Sequence, residues 1–204
     1  MDHERRRAEI AEAVWRLVSR QGIPAASVRG VAAEAGLSKG SVRHFFADQD
    51  ELLHFAMNEV VRRVRERAAA QLDHRQRLVD AGEPAEAVLQ LLAQVLPVTD
   101  EQRIEARVWL AFVSHDAGDA AADRIRTQLD EQVRQLCAHC IDSLAQAGAL
   151  AADRDPATET AALWALLDGL TLHVLLDPAA TPPDAALDTL RNHLRHLCQP
   201  THRP

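Results

Sequence analysis

Tyrosine is absent from the 204 residues, lysine occurs once and cysteine three times. Glycine, at 8 residues, and proline, at 9, are also few. Segments rich in β-formers are almost missing, so β architectures drop out and an all-α chain is expected. An odd number of cysteines offers no disulfide framework and fits a reducing compartment. No run of eighteen apolar residues occurs and the N-terminal stretch is charged. A membrane-spanning helix and a signal peptide are therefore not expected, and a cytoplasmic location is. A glycine-rich phosphate loop, a nucleophile elbow and an HExxH helix are all lacking. An enzyme is not expected, and no cofactor is implied.

What is present is concentrated in SVRGVAAEAGLSKGSVRHFF, Ser27 to Phe46. Val28, Val31 and Ala32 form one apolar face at helical spacing, and Ala35, Leu37, Val42, Phe45 and Phe46 continue it. The Ser27 hydroxyl suits an N-cap, Gly36 a left-handed helix end, and Ser38 a second N-cap. Two short helices joined by a tight turn follow. That is a helix-turn-helix whose second helix would enter a major groove.

The run AAEAGLSKGSVRHFFADQDELL resembles the DNA-binding signature of the tetracycline-repressor (TetR) family of bacterial transcription regulators, in detail over about residues 7 to 60. The resemblance implies double-stranded DNA and a second copy of the chain as partners, with a small-molecule effector bound by a variable C-terminal domain. The expected division is residues 1–47 for the three-helix DNA-binding domain and 48–204 for the effector-binding and dimerisation domain, about nine helices in all. The expected DNA contacts are Ser27, Arg29, Ser38, Lys39, Gly40, Ser41, Arg43, His44 and Gln49. Three positions depart from the family pattern. Arg43 and Phe45 stand where tyrosine is common, and Gln49 replaces a frequent lysine. These departures keep open a second reading, a helical ligand-binding or interaction protein that has lost specific DNA binding.

Net charge is −7, which is unusual for a DNA binder, but the acidity is segregated. Through Arg75 there are 13 Lys+Arg against 11 Asp+Glu; beyond it there are 10 against 19. The front is mildly basic and the rear strongly acidic. Lys39 is the one lysine.

Along the chain, helices are expected over about His3–Arg20, Asp48–Asp73, Ala85–Leu96, Asp100–His115, Ala120–Ala147, Asp155–Leu176 and Pro183–Leu197, with a loop from Arg75 to Pro84 and a break at Asp116–Asp119. Asp48 and Glu51 make an acidic capping pair. The helix from Asp155 is apolar almost all round, so it must be covered on several sides. By resemblance, the last two helices of each subunit form a four-helix dimer bundle. Its seam is expected at Leu163, Leu167, Leu170 and Val174 with Leu187, Leu190, Leu194 and Leu197, and Gly169 would allow close approach.

Trp109, Phe112, His115, Trp164, Asp168 and His173 are the candidate effector contacts, supplying aromatic walls and a few polar groups. Arg107 to His115 is also similar to choline-responsive (BetI-type) members, which does not by itself fix the effector. Cys137, His139 and Cys140 lack the further ligands a zinc site needs, so two core thiols and a surface histidine are expected. His193, His196 and Cys198 read as decoration of a helix end.

Overall fold

The computed structural model describes residues 2–113 and 120–199; all are helix, turn or connection, with no strand among them. The order is α1 (Asp2–Gln21), a 3₁₀ turn (Ile23–Ala25), α2 (Val28–Glu34), α3 (Lys39–Phe45), α4 (Gln49–Ala70), α5 (Leu72–Asp80), α6 (Pro84–Leu92), α7 (Asp100–Val113), α8 (Ala120–Gln146), α9 (Pro156–Leu176) and α10 (Pro183–Leu197). The all-α expectation holds. The tenth helix is α5, which occupies most of the stretch expected as a loop. Its sequence LDHRQRLVD is polar but contains neither glycine nor proline. The breaker comes only at Gly82, whose φ is 79°. The expected break at Asp116–Asp119 and the residue His115 lie outside the described residues.

Two compact units emerge. The first comprises the described residues of Met1–Arg65 and Ile104–Thr127, the second those of Glu66–Arg103 and Gln128–Pro204. The division therefore passes through α4 after Arg65, through α7 after Arg103 and through α8 after Thr127.

In the first unit α1 is amphipathic, and Ile10, Val14, Leu17 and Val18 line its inner face. They share the core with Val31 and Ala32 of α2, Val42 of α3, Phe46 just after it, and Leu52, Ala56 and Met57 of α4. Trp15 is anchored twice. Its indole N–H donates to the Ala56 carbonyl at 2.9 Å, and the Arg63 guanidinium lies 4.4 Å above its ring. Outside the core, Glu34 of α2 accepts from Arg16 and Arg20 of α1, each at 2.8 Å. The Arg16 hydrogen bond is the main reason the Glu34 carboxyl sits below its ordinary range.

The second unit is built on Leu89 and Leu92 of α6, Cys137, Cys140, Ile141 and Leu144 of α8, Leu163, Leu167, Leu170 and Val174 of α9, and Leu190, Leu194 and Leu197 of α10. By length and composition alone α9 could cross a membrane, which is weak evidence, and its inner face forms this core. The carboxylate of Asp155 caps the Thr158 N–H at 2.9 Å, and Pro156 occupies the first helical position, where its missing N–H costs nothing.

Candidate nucleic-acid interface

Local chemistry builds the helix-turn-helix as the sequence anticipates. The Ser27 hydroxyl accepts from the Gly30 N–H at 3.1 Å and starts α2. Gly36 adopts φ 66° and lets the Leu37 N–H return to the Ala32 carbonyl at 2.8 Å, closing that helix. Ser38 accepts from the Ser41 N–H at 3.0 Å and starts α3. The following turn is fixed by a reciprocal pair. The Glu51 N–H donates to Asp48 at 2.9 Å, and the Glu51 carboxylate accepts from the Ala47 N–H at 2.7 Å. Gly30 carries no such mark in the sequence. A Cβ there would collide with the backbone carbonyl of Ala25, so only glycine lets the 3₁₀ turn press against α2.

α3 has an inner and an outer side. Val42 and Phe46 are buried, while Ser38, Lys39, Gly40, Arg43 and His44 are exposed, and Ser41 is half-buried. Lys39 and Arg43 are one turn apart and share a face, as do Gly40 and His44. Arg29 is exposed on α2. A Cβ at Gly40 would meet only the Ser38 hydroxyl, at 3.7 Å, so the helix surface there is open to close approach. Ser27 is half-buried, its hydroxyl already engaged in capping. Gln49 turns toward the protein, its amide 3.5 Å from the Ile23 carbonyl.

Several arginines of α1 and α4 are held by carboxylates. Arg6 pairs with Glu9, Arg16 and Arg20 with Glu34, Arg62 with Glu59, and Arg63 with Glu12. Among the described residues no carboxylate pairs with Arg29, Lys39 or Arg43. Three exposed cations of α2 and α3 without an internal carboxylate suit a polyanion, since each neutralised phosphate releases a condensed counterion. Arg5 and Arg6 are both engaged by Glu9 in the first turns of α1.

An aromatic chain ties α3 to its neighbours. His3 of α1 stacks on Phe45 at 4.5 Å between ring centroids, Phe45 meets Phe46 at 6.5 Å, and Phe46 meets Phe55 of α4 at 5.1 Å. The Arg7 guanidinium covers both Phe46 and Phe55, at 5.1 and 4.4 Å. The position of α3 is thus set from α1 and α4 together.

The candidate effector residues divide between the units. In the first, Trp109 is half-buried and Phe112 is buried. In the second, Trp164 packs partly on the core, Asp168 is half-buried one turn further along α9, and His173 is exposed. Burial, reinforced by the charge of Asp130, raises the Asp168 pKa. Cys137 and Cys140 are buried in the core with thiols pushed up to about 12 by burial, while His139 is exposed. His193 is half-buried beside Glu159 and Arg154, and burial lowers its pKa. It is thus more than surface decoration.

The expected dimer leucines are used within a single chain. Leu163, Leu167, Leu170, Val174, Leu190, Leu194 and Leu197 are 0–6% exposed, and Leu187 packs partly against them. The outward side of α9 instead carries Ala162, Ala165, Gly169, Leu172 and Leu176, at successive spacings of three and four. Leu176 is 73% exposed, and a Cβ at Gly169 would meet nothing within 4 Å. The signal for this second stripe is the apolar character of α9 all round. The sequence does not say which apolar side faces the chain's own core.

Comparison with known proteins extends these observations. Residues 10–56 match the model of the tetR family of bacterial regulatory proteins, and residues 84–199 that of the C-terminal part of BetI-type transcriptional repressors. The HTH-type transcriptional regulator PksA of Bacillus subtilis is 38% identical over 203 residues, covering 97% of this chain and 92% of PksA. The HTH-type transcriptional regulator BetI of Burkholderia cenocepacia is 31% identical over 199 residues, covering 94% and 93%. A Saccharomonospora viridis structure in complex with choline shares the fold, with a TM-score of 0.79 at 23% identity over 95% of this chain and 97% of that one.

Proposed function

Since the chain belongs to the tetR family of bacterial regulatory proteins, with a BetI-type C-terminal region, we propose that it is a dimeric repressor that binds a near-palindromic operator and is released by a small effector. The DNA-binding reading is carried by one observation: Arg29, Lys39 and Arg43 stand exposed on α2 and α3 without an internal carboxylate, while neighbouring arginines are paired. In this reading Ser38 and Lys39 hold the backbone and α3 lies in the major groove. Ser27 and Gln49 act from within, one as a cap and one through the Ile23 carbonyl. The second copy packs against the outward stripe of α9, so the four-helix seam is formed by Ala162, Ala165, Gly169, Leu172 and Leu176 rather than by the buried leucines. Small residues there permit close helix approach.

The effector reading rests on Asp168. A carboxyl whose pKa is raised by burial destabilises the fold when ionised. A half-buried acid one helical turn from Trp164 suits a ligand that compensates its charge. An organic cation does so twice, by pairing with the carboxylate and by lying on the indole face. Calorimetric titration with choline and larger quaternary ammonium ions checks this. Binding that weakens at least tenfold in Asp168→Asn supports it, and equal binding by both proteins sinks it.

The test of DNA recognition is selection from a randomised duplex pool, followed by mobility shift at two salt concentrations. A symmetric motif and a steep fall of affinity with salt are expected. Arg43 lies outward in the middle of α3, where a guanidinium can bond guanine O6 and N7 together. Arg43→Ala is expected to relax one G·C preference in each half-site, at a discrimination of about 1–3 kcal/mol. Selected motifs identical to wild type, with affinity alone reduced, would make Arg43 a phosphate clamp instead.

A further inference from the structure

His3 lies in the first turn of α1, 41 residues from His44 near the carboxyl end of α3. Phe45 gathers the two rings. It meets His3 at 4.5 Å and His44 at 5.3 Å between centroids, leaving the two imidazoles 6.4 Å apart at an interplanar angle of 73°. Both histidines are exposed, and neither has a hydrogen-bond partner among the described residues. Two imidazole donors that the fold brings together and leaves unsatisfied lie beside the same short helix that carries the unpaired Lys39 and Arg43.

We propose that His3 and His44 form a two-imidazole clamp for one phosphate of the DNA backbone at the carboxyl end of α3. A gap of this width admits a phosphodiester whose two free oxygens each accept one N–H at about 2.8 Å. Each imidazole has an N–H to donate even when neutral. His3 thereby becomes a DNA contact contributed by α1, outside the helix-turn-helix. Phe45 becomes the residue that positions both donors. A base edge is a poorer occupant, because His3 approaches from the supporting helix and not from the side of α3 that carries Lys39 and Arg43. The inference rests on the DNA-binding reading above.

The experiment uses the full chain and the duplex that the wild-type protein selects. His3→Phe keeps a ring on Phe45 but removes the N–H donors, and His44→Phe does the same on the other side. Binding is measured together with ethylation interference, which reports individual phosphates. Each single variant is expected to bind about tenfold more weakly and to lose interference at the same phosphate in each half-site. The double variant should lose little more than either single one, because both donors share one anion. His3→Phe with wild-type affinity and an unchanged interference pattern overturns the clamp. So do losses at two different phosphates, or losses that multiply in the double variant. A wild-type chain that selects and shifts no duplex overturns the DNA-binding reading and the clamp with it. Wild-type binding with an unchanged His3→Phe overturns the clamp alone. The unaltered melting temperature expected of His3→Phe, an exposed position, separates lost contact from lost fold.

Discussion

Leu190→Arg is expected to unfold the second unit rather than to release two folded monomers. Leu190 is 0% exposed within one chain and packs among Leu163, Leu167, Leu194 and the α6 leucines. A guanidinium there loses the apolar contacts and enters a cluster of aliphatic and thiol side chains. The cost of an uncompensated buried charge is several kcal/mol, comparable with the whole stability of a domain at about 5–15 kcal/mol. Loss of helical circular dichroism, or aggregation during expression, is the expected result. A soluble variant with full helicity and half the mass would return Leu190 to the subunit seam.

Ala165→Arg is its counterpart, and the expected outcome is different in kind. Ala165 is exposed on the outward side of α9, so one chain accommodates arginine there with little change of its own packing. In a two-fold dimer each residue near the axis faces its own copy, and two bulky arginines would meet where small side chains allowed close approach. The expected product is a folded chain of half the mass by light scattering. Operator affinity should fall by about 10²–10⁴, because two linked half-site contacts become independent ones. A variant that remains dimeric with normal operator binding would place the seam away from α9.

The contrast between these two positions shows where the sequence is legible. The helix-turn-helix can be read because a residue with a specific local role marks each boundary. Ser27 and Ser38 are caps, Gly36 takes the left-handed region, and Asp48 with Glu51 forms a box. The outward position of Arg43 follows from the inward demand of Val42 and Phe46. α9 gives no such direction. Both its stripes repeat at spacings of three and four, and periodicity identifies stripes without saying which one faces the chain's own core. The larger leucines fill that core, and the smaller Ala and Gly positions face out. α5 is hidden for a related reason. Polarity suggests a loop, although nothing from Leu72 to Asp80 forbids a helix. Gln49 and His3 depend on contacts with residues 26 and 42 positions away, which no local pattern encodes.

The chain carries one ε-amine. Lys39 is exposed at the first position of α3, and every other strong base is a guanidinium, inert to acylating reagents at neutral pH. Any chemistry directed at lysine side chains, enzymatic or synthetic, therefore has a single address, on the surface proposed to meet DNA. Acetylation at that address would exchange a cation for a neutral amide without altering another residue. It would make occupancy of the nucleic-acid face measurable as protection of one amine, against no background from other side chains.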